Sequence, residues 1–162
     1  MKFRKLFVIF AGSWLLAGTS AANKWTLESK HDPETKLDSV VMKLHQGSTT
    51  FLIACDQGES TPWGIAVNKA DENFDGSPMF RSGIIKFDGN PAESNEWAYM
   101  GTMAFPNFDA RRLLDPIGKS KRLLIRLQRT NRTKIDVNLY LSGSSTQIKK
   151  LKSACLKIGI QP

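Results

Sequence analysis

"KRLLIRLQRTNRTKIDVNLYLS", residues 121–142, decides the fold. Two stretches within it alternate apolar and polar residues. Leu123, Ile125 and Leu127 share one face of the first, and Ile135, Val137, Leu139 and Leu141 share one face of the second. Successive side chains of a strand point to opposite sides, so a period of two marks a strand with one buried face. The short polar link TNRT between the stretches predicts a hairpin turn. A chain built on such units folds as antiparallel β.

Working outward, the same pattern recurs. In "VVMKLHQ" (40–46) Val40, Met42 and Leu44 fall on one face, with Val41, Lys43 and His45 on the other. After Gly47 comes "STTFLIACD" (48–56), and the two runs predict a second hairpin. "PWGIAVN" (62–68), "MFRSGIIKFDG" (79–89) and "NEWAYMGTMAF" (95–105) predict three more strands. "WTLESKHDPETKLDSV" (25–40) opens with an aromatic and then turns polar, and Pro33 breaks any regular element there. "NFDARRLLD" (107–115) predicts a short helix capped by Asn107 and ended by Pro116 and Gly118. "SGSSTQIKKLKSACLKIG" (142–159) predicts a terminal helix capped by Ser144 or Ser145. Its Ile148, Leu151, Cys155 and Ile158 form one stripe, with Lys149, Lys150, Lys152 and Lys157 off it. The expected fold is mainly β: an antiparallel β-sandwich or barrel with one C-terminal helix tied by a disulfide.

The chain opens "MKFRKLFVIFAGSWLLAGTSAANKW". Lys2, Arg4 and Lys5 precede an uncharged apolar run, which ends in the small residues Thr19 to Ala22. That order is the pattern of a secretory signal peptide over residues 1–22, cleaved after Ala21 or Ala22. The apolar run is short of the ~20 residues that span a bilayer. A single domain over 23–162 is expected to follow, periplasmic or secreted and without a stable membrane anchor. The leader carries three positive charges and no acid, so the net charge of +8 becomes +5 for the remainder. This excess permits an acidic partner. It lacks the dense arginine and exposed aromatics of a nucleic-acid binder, and export argues against that role.

An oxidising compartment gives the two cysteines, Cys55 and Cys155, only one pairing. Cys55 shares its strand face with Phe51 and Ile53, and Cys155 sits on the apolar stripe, so both point inward. A zinc site needs about four ligands, and His31 and His45 are the histidines at hand. A redox thiol pair usually lies close in sequence. A disulfide is the better account of both cysteines.

Catalytic patterns are sparse. "DENFDG" (71–76) opens like a calcium loop with Asp71, Asn73, Asp75 and Gly76, but Ser82 stands where a bidentate glutamate belongs. His31 and Asp32 are neighbours and so point apart on an extended chain. His45 falls on an outer strand face. There is no GxSxG, HExxH or phosphate loop. "NRT" at Asn131 is a formal glycosylation sequon of high chance frequency. No catalytic residue, metal or cofactor is therefore expected. Arg111, Arg112 and Arg122, with Lys119 and Lys121, are the candidate partner-binding cluster.

"IIKFDG", Trp97, "NFDARRLLDPIGKSKRLLIRLQ" and "VNLYLSGSSTQIKKLKSAC" together resemble the VasI/TagO-type accessory family of type VI secretion, small exported proteins of Gram-negative bacteria. Lys86, Phe87 and Asp88 stand for the family's "R.D" step, residues 123–127 for its "Llvrl" strand, and Leu141, Ser142, Gly143, Ala154 and Cys155 for its ending. Leu52 to Cys55 stands for an early "L.i.C" segment. The resemblance spans residues 25–159, with its motifs in roughly the last 75. It departs at Lys86, where the family has arginine, and aligns loosely over 58–78. It implies an exported accessory protein and no catalytic residues. The expected function is a non-enzymatic periplasmic binding protein associated with type VI secretion and an envelope protein partner. The alternative is an inhibitor or immunity protein that blocks an exported hydrolase.

Overall fold

The computed structural model describes residues 24–74, 76 and 79–162. The expected leader lies outside them. Nine strands and two helices follow in order: β1 (Lys24–His31), β2 (Asp38–Gln46), β3 (Thr49–Asp56), β4 (Trp63–Lys69), β5 (Phe80–Phe87), β6 (Glu93–Met100), β7 (Met103–Pro106), α1 (Arg111–Lys119), β8 (Arg122–Gln128), β9 (Lys134–Tyr140) and α2 (Ser144–Lys157). All nine strands join one antiparallel sheet, in the order β1-β2-β3-β4-β7-β6-β5-β8-β9. The fold is mainly β with a disulfide-tied C-terminal helix, as the alternation predicts. No helix among the described residues is long and apolar enough to cross a membrane.

The inner faces of the strands wrap one core, in which Met42, Leu44, Phe51, Ile53, Val67, Trp97 and Leu127 are fully buried. The sheet curls until its two edges meet at one corner. There the Trp25 indole donates to Ser142 O (2.9 Å), and Gln46 reaches Tyr140 across the gap. One glycine is compulsory for this packing. A Cβ on Gly83 would lie 2.3 Å from Trp97 Cδ1, because the indole crosses the strand where a side chain would stand.

Cys55 of β3 is bonded to Cys155 of α2 across 100 residues, with the Cα atoms 6.1 Å apart. Closing so long a loop in the unfolded chain is worth up to about 4–5 kcal/mol on a chain-entropy basis. The bond holds α2 against β1, β2 and α1.

Four local readings need correction. The polar stretch before Pro33 is a strand, β1, paired along its length with β2. The run 95–105 is two strands, split where Gly101 turns the chain at φ +56°. The first helix starts at Arg111, and Pro116 lies inside it. Asn107 caps nothing; its side-chain amide donates to Glu96 Oε2 (2.8 Å). In α2 neither Ser144 nor Ser145 caps the helix. Gly143 enters at φ +79°, and the Ser144 hydroxyl donates to Ile117 O of α1 (2.8 Å). Satisfying a buried carbonyl of the neighbouring helix outweighed local capping.

The segment 71–74 plugs one end of the sheet. Phe74 is fully buried, with its ring 5.3 Å from that of Tyr99. Arg81 reaches inward from β5 beneath it. Its guanidinium donates to Phe74 O (2.5 Å) and Thr130 Oγ1 (3.1 Å) and stacks 4.0 Å from the Tyr99 ring centre. Arg129 clamps Glu72 with two bonds, Nε to Oε2 (2.9 Å) and Nη2 to Oε1 (2.5 Å).

Candidate functional site

The outer faces of β5, β8 and β9 form a basic depression. Register sets its shape. Lys86, Leu124 and Asn138 are cross-strand neighbours and make one row. The next row is Arg122 and Tyr140, and the row on the other side contains Arg126 and Asp136. Side chains two apart on a strand share a face, so all three rows project outward. The middle row has the short Leu124 and Asn138 as its floor. The result is a depression of about 600 Å³, lined by Lys86, Asp88, Arg122, Leu124, Asn138 and Tyr140.

Its charges are unequally committed. Asp88 adopts φ +40°, a conformation that aspartate tolerates better than most residues. Its carboxylate accepts the backbone N–H groups of Lys121 (3.0 Å) and Arg122 (2.8 Å), which ties the end of β5 to the start of β8. Arg126 and Asp136 satisfy each other through two 2.6 Å bonds. Hydrogen bonding to Arg126 holds the Asp136 carboxyl below the usual range. Among the described residues no carboxylate lies within ion-pair distance of Lys86 or Arg122. The Arg122 guanidinium instead sits 5.4 Å from the ring centre of half-exposed Tyr140. Past that pair lies a second depression of about 510 Å³, bounded by Ser120, Lys121, Ser142 and Ser145.

The other arginines singled out from the sequence lie elsewhere. Arg111 is chelated by Asp109, and Arg112 donates to Asn95 Oδ1 (2.6 Å) while stacking 3.7 Å from the Phe108 ring centre. They open α1 while Arg122 opens β8, so most of the helix, about 10 Å at 1.5 Å per residue, lies between them. Of the sequence cluster, Arg122 belongs to the depression, while Lys121 bounds the second one. Lys86, Asn138 and Tyr140 come from elsewhere in the chain. Alternation marks each as outward-facing, but only the non-local β5–β8 pairing brings them together.

The remaining candidates have local duties. His31 Nδ1 lies 2.8 Å from Asp38 Oδ1, and His45 Nδ1 lies 3.0 Å from Thr50 Oγ1; both histidines are exposed. Asp32 turns from His31 to accept the backbone N–H of Glu34 (2.8 Å), which lowers its carboxyl pKa. Within the calcium-like stretch Asp71 accepts from Lys69 Nζ (2.6 Å) and Ser48 Oγ (2.8 Å). Asp75 lies outside the described residues. Asn131 of the sequon forms the β8–β9 turn, its Oδ1 accepting from Thr133 N (3.0 Å).

No family model, no curated protein and no solved structure matches the chain.

Proposed function

We propose that this chain is a non-enzymatic binding protein of the bacterial envelope, an accessory to type VI secretion that holds an anionic part of an envelope protein at the Lys86–Arg122–Tyr140 depression. The observation that carries the reading is the convergence in one depression of two cations without a carboxylate partner among the described residues, Lys86 and Arg122, and the exposed ring of Tyr140; other unpaired cations, such as Arg132 and Lys149, do not line it. Arg81, Arg111, Arg112, Arg126 and Arg129 each serve an internal partner. Arg122 has only the Tyr140 ring beside it, and neither it nor Lys86 has a carboxylate within ion-pair distance among the described residues. An arginine, an aromatic ring and an amide around a concave floor are the composition from which interface anchors are made. Residues on which the VasI/TagO resemblance rests, Lys86, Asp88, Leu123 and Leu124, line the same depression. Disulfides persist in oxidising compartments, so the Cys55–Cys155 bond supports export. The two cysteines are bonded to each other, so neither offers a free thiol nucleophile.

A photo-crosslinking residue placed at Leu124, with His45 as the control position, tests the reading in living cells. It predicts one envelope partner captured at 124 and not at 45, and lost in the Lys86→Glu/Arg122→Glu protein. Capture of an exported hydrolase would turn the reading to the inhibitor role. Equal capture at both positions would overturn it. So would a folded His31→Ala/His45→Ala protein without biological activity.

A further inference from the structure

We infer that the partner enters as an extended, carboxylate-bearing strand that pairs with the free edge of β9. The inference rests on the binding reading above and specifies the form of what is bound.

β9 is the last strand of the sheet. The parity of its ladder follows from two bonds at its ends, Leu141 N to Lys121 O and Arg129 N to Thr133 O, both 2.8 Å. The register between them is unbroken. Antiparallel ladders alternate bonded and non-bonded pairs, so residues 133, 135, 137, 139 and 141 turn their backbone groups to β8. Lys134, Asp136, Asn138 and Tyr140 turn theirs off the sheet. At Tyr140 a surrogate already occupies the edge. Its N–H donates to Gln46 Oε1 (3.1 Å), and its carbonyl accepts from Gln46 Nε2 (2.7 Å). One side-chain amide does there what a neighbouring strand would do. At Lys134, Asp136 and Asn138 no backbone partner is present among the described residues, and all three residues are exposed. β1, at the other end of the sheet, pairs only with β2.

Asn138 belongs to both features: its backbone lies on the open edge, and its side chain lines the basic depression. A strand added at β9 would lie about 10 Å from β8 and about 14 Å from β5, at ~4.8 Å per strand. A glutamate on it therefore reaches the guanidinium of Arg122, which already leans toward β9 over Tyr140. Lys86, one strand further in, adds attraction without contact. Lys134 stands on the edge itself and repels a basic strand. A second copy of this chain is a poor occupant, because edge-to-edge pairing would set one basic depression beside another in a protein of net positive charge.

The test uses the oxidised protein from residue 23 onward, labelled with ¹⁵N. The probe is a ten-residue peptide of alternating glutamate and threonine. Its controls are the same peptide N-methylated on alternate backbone nitrogens and a lysine–threonine peptide. The acidic peptide should slow amide exchange at residues 134, 136 and 138 by about tenfold or more, and N-methylation should weaken binding by a similar factor. Asn138→Pro should do the same and spare the β8–β9 ladder, because the N–H it removes points off the sheet. Should that variant not fold, the N-methylated peptide decides. If Arg122→Glu abolishes binding while N-methylation has no effect, the anionic site stands and strand pairing is overturned. If the acidic peptide binds no better than the lysine one, both fall. Protection at these amides that grows with protein concentration alone would assign the edge to a second copy and overturn the inference.

Discussion

Arg81 and Lys86 lie five residues apart on one strand and have opposite fates. Arg81 points inward with Gly83, Ile85 and Phe87, and it is 94% buried, at 6% exposure. Phe74 O, Thr130 and the Tyr99 ring surround it, and among the described residues its Nε has no acceptor. Lys86 points outward into a depression whose nearest carboxylate, Asp88, is spent on two backbone N–H groups. The arginines at the two ends of β8 repeat the contrast. Arg129, just past one end, clamps Glu72 under the plug, while Arg122 at the other end rests on an exposed tyrosine. Residue type does not decide whether a cation is internally paired. Burial obliges a cation to find internal acceptors, as at Arg81, whereas on the outer face pairing depends on what stands opposite, Asp136 for Arg126 and Tyr140 for Arg122.

Several measurements would break or sharpen that contrast. The upper bound on stability comes from outside both regions. Replacing Cys55 and Cys155 together by serine should cost up to about 4–5 kcal/mol in urea unfolding. Next is Arg81→Leu. It leaves Phe74 O unpaired and removes the contact with Tyr99, a loss of about 2–4 kcal/mol. Amide exchange should rise first in segment 71–74. If Arg81→Leu is neutral, the inner arginine is not structural and the contrast fails. Glu72→Gln should act more weakly and with a pH signature. Hydrogen bonding to Arg129 holds the Glu72 carboxyl below its ordinary 4.5. A depressed folded-state pKa stabilises above the unfolded value and is lost as pH falls through the folded one. The Tm advantage of wild type over Glu72→Gln should therefore be full at neutral pH and vanish in strong acid. The smallest stability effect belongs to Lys86→Glu/Arg122→Glu, within about 0.5 kcal/mol of wild type as at ordinary surface positions. A much larger loss would mean that these cations are structural too.

Much of the fold was legible. The β8–β9 and β2–β3 hairpins follow from alternation alone, and the disulfide follows from two inward cysteines. β1 was illegible because an edge strand with one exposed side needs few apolar residues; Trp25 and Leu27 sufficed against the core. The β6–β7 turn was hidden because its glycine lies inside an apolar run that reads as continuous. The helix boundaries shifted because tertiary bonds, Asn107 to Glu96 and Ser144 to Ile117, outbid local capping. At the depression only Arg122 stood out, through charge crowding. Lys86 and Tyr140 could not be joined to it because β5 pairs with β8 across 34 intervening residues of chain, a non-local choice that no short pattern encodes.

The most direct test of the central claim, that the uncommitted cations on the outer face are the binding site, is a chemical-shift map of the oxidised protein titrated with poly-glutamate. The largest shifts should fall at residues 86, 122, 124, 138 and 140 and should shrink with added salt. Largest shifts at Arg111 and Arg112, or along Lys149, Lys150 and Lys157 of α2, would contradict it.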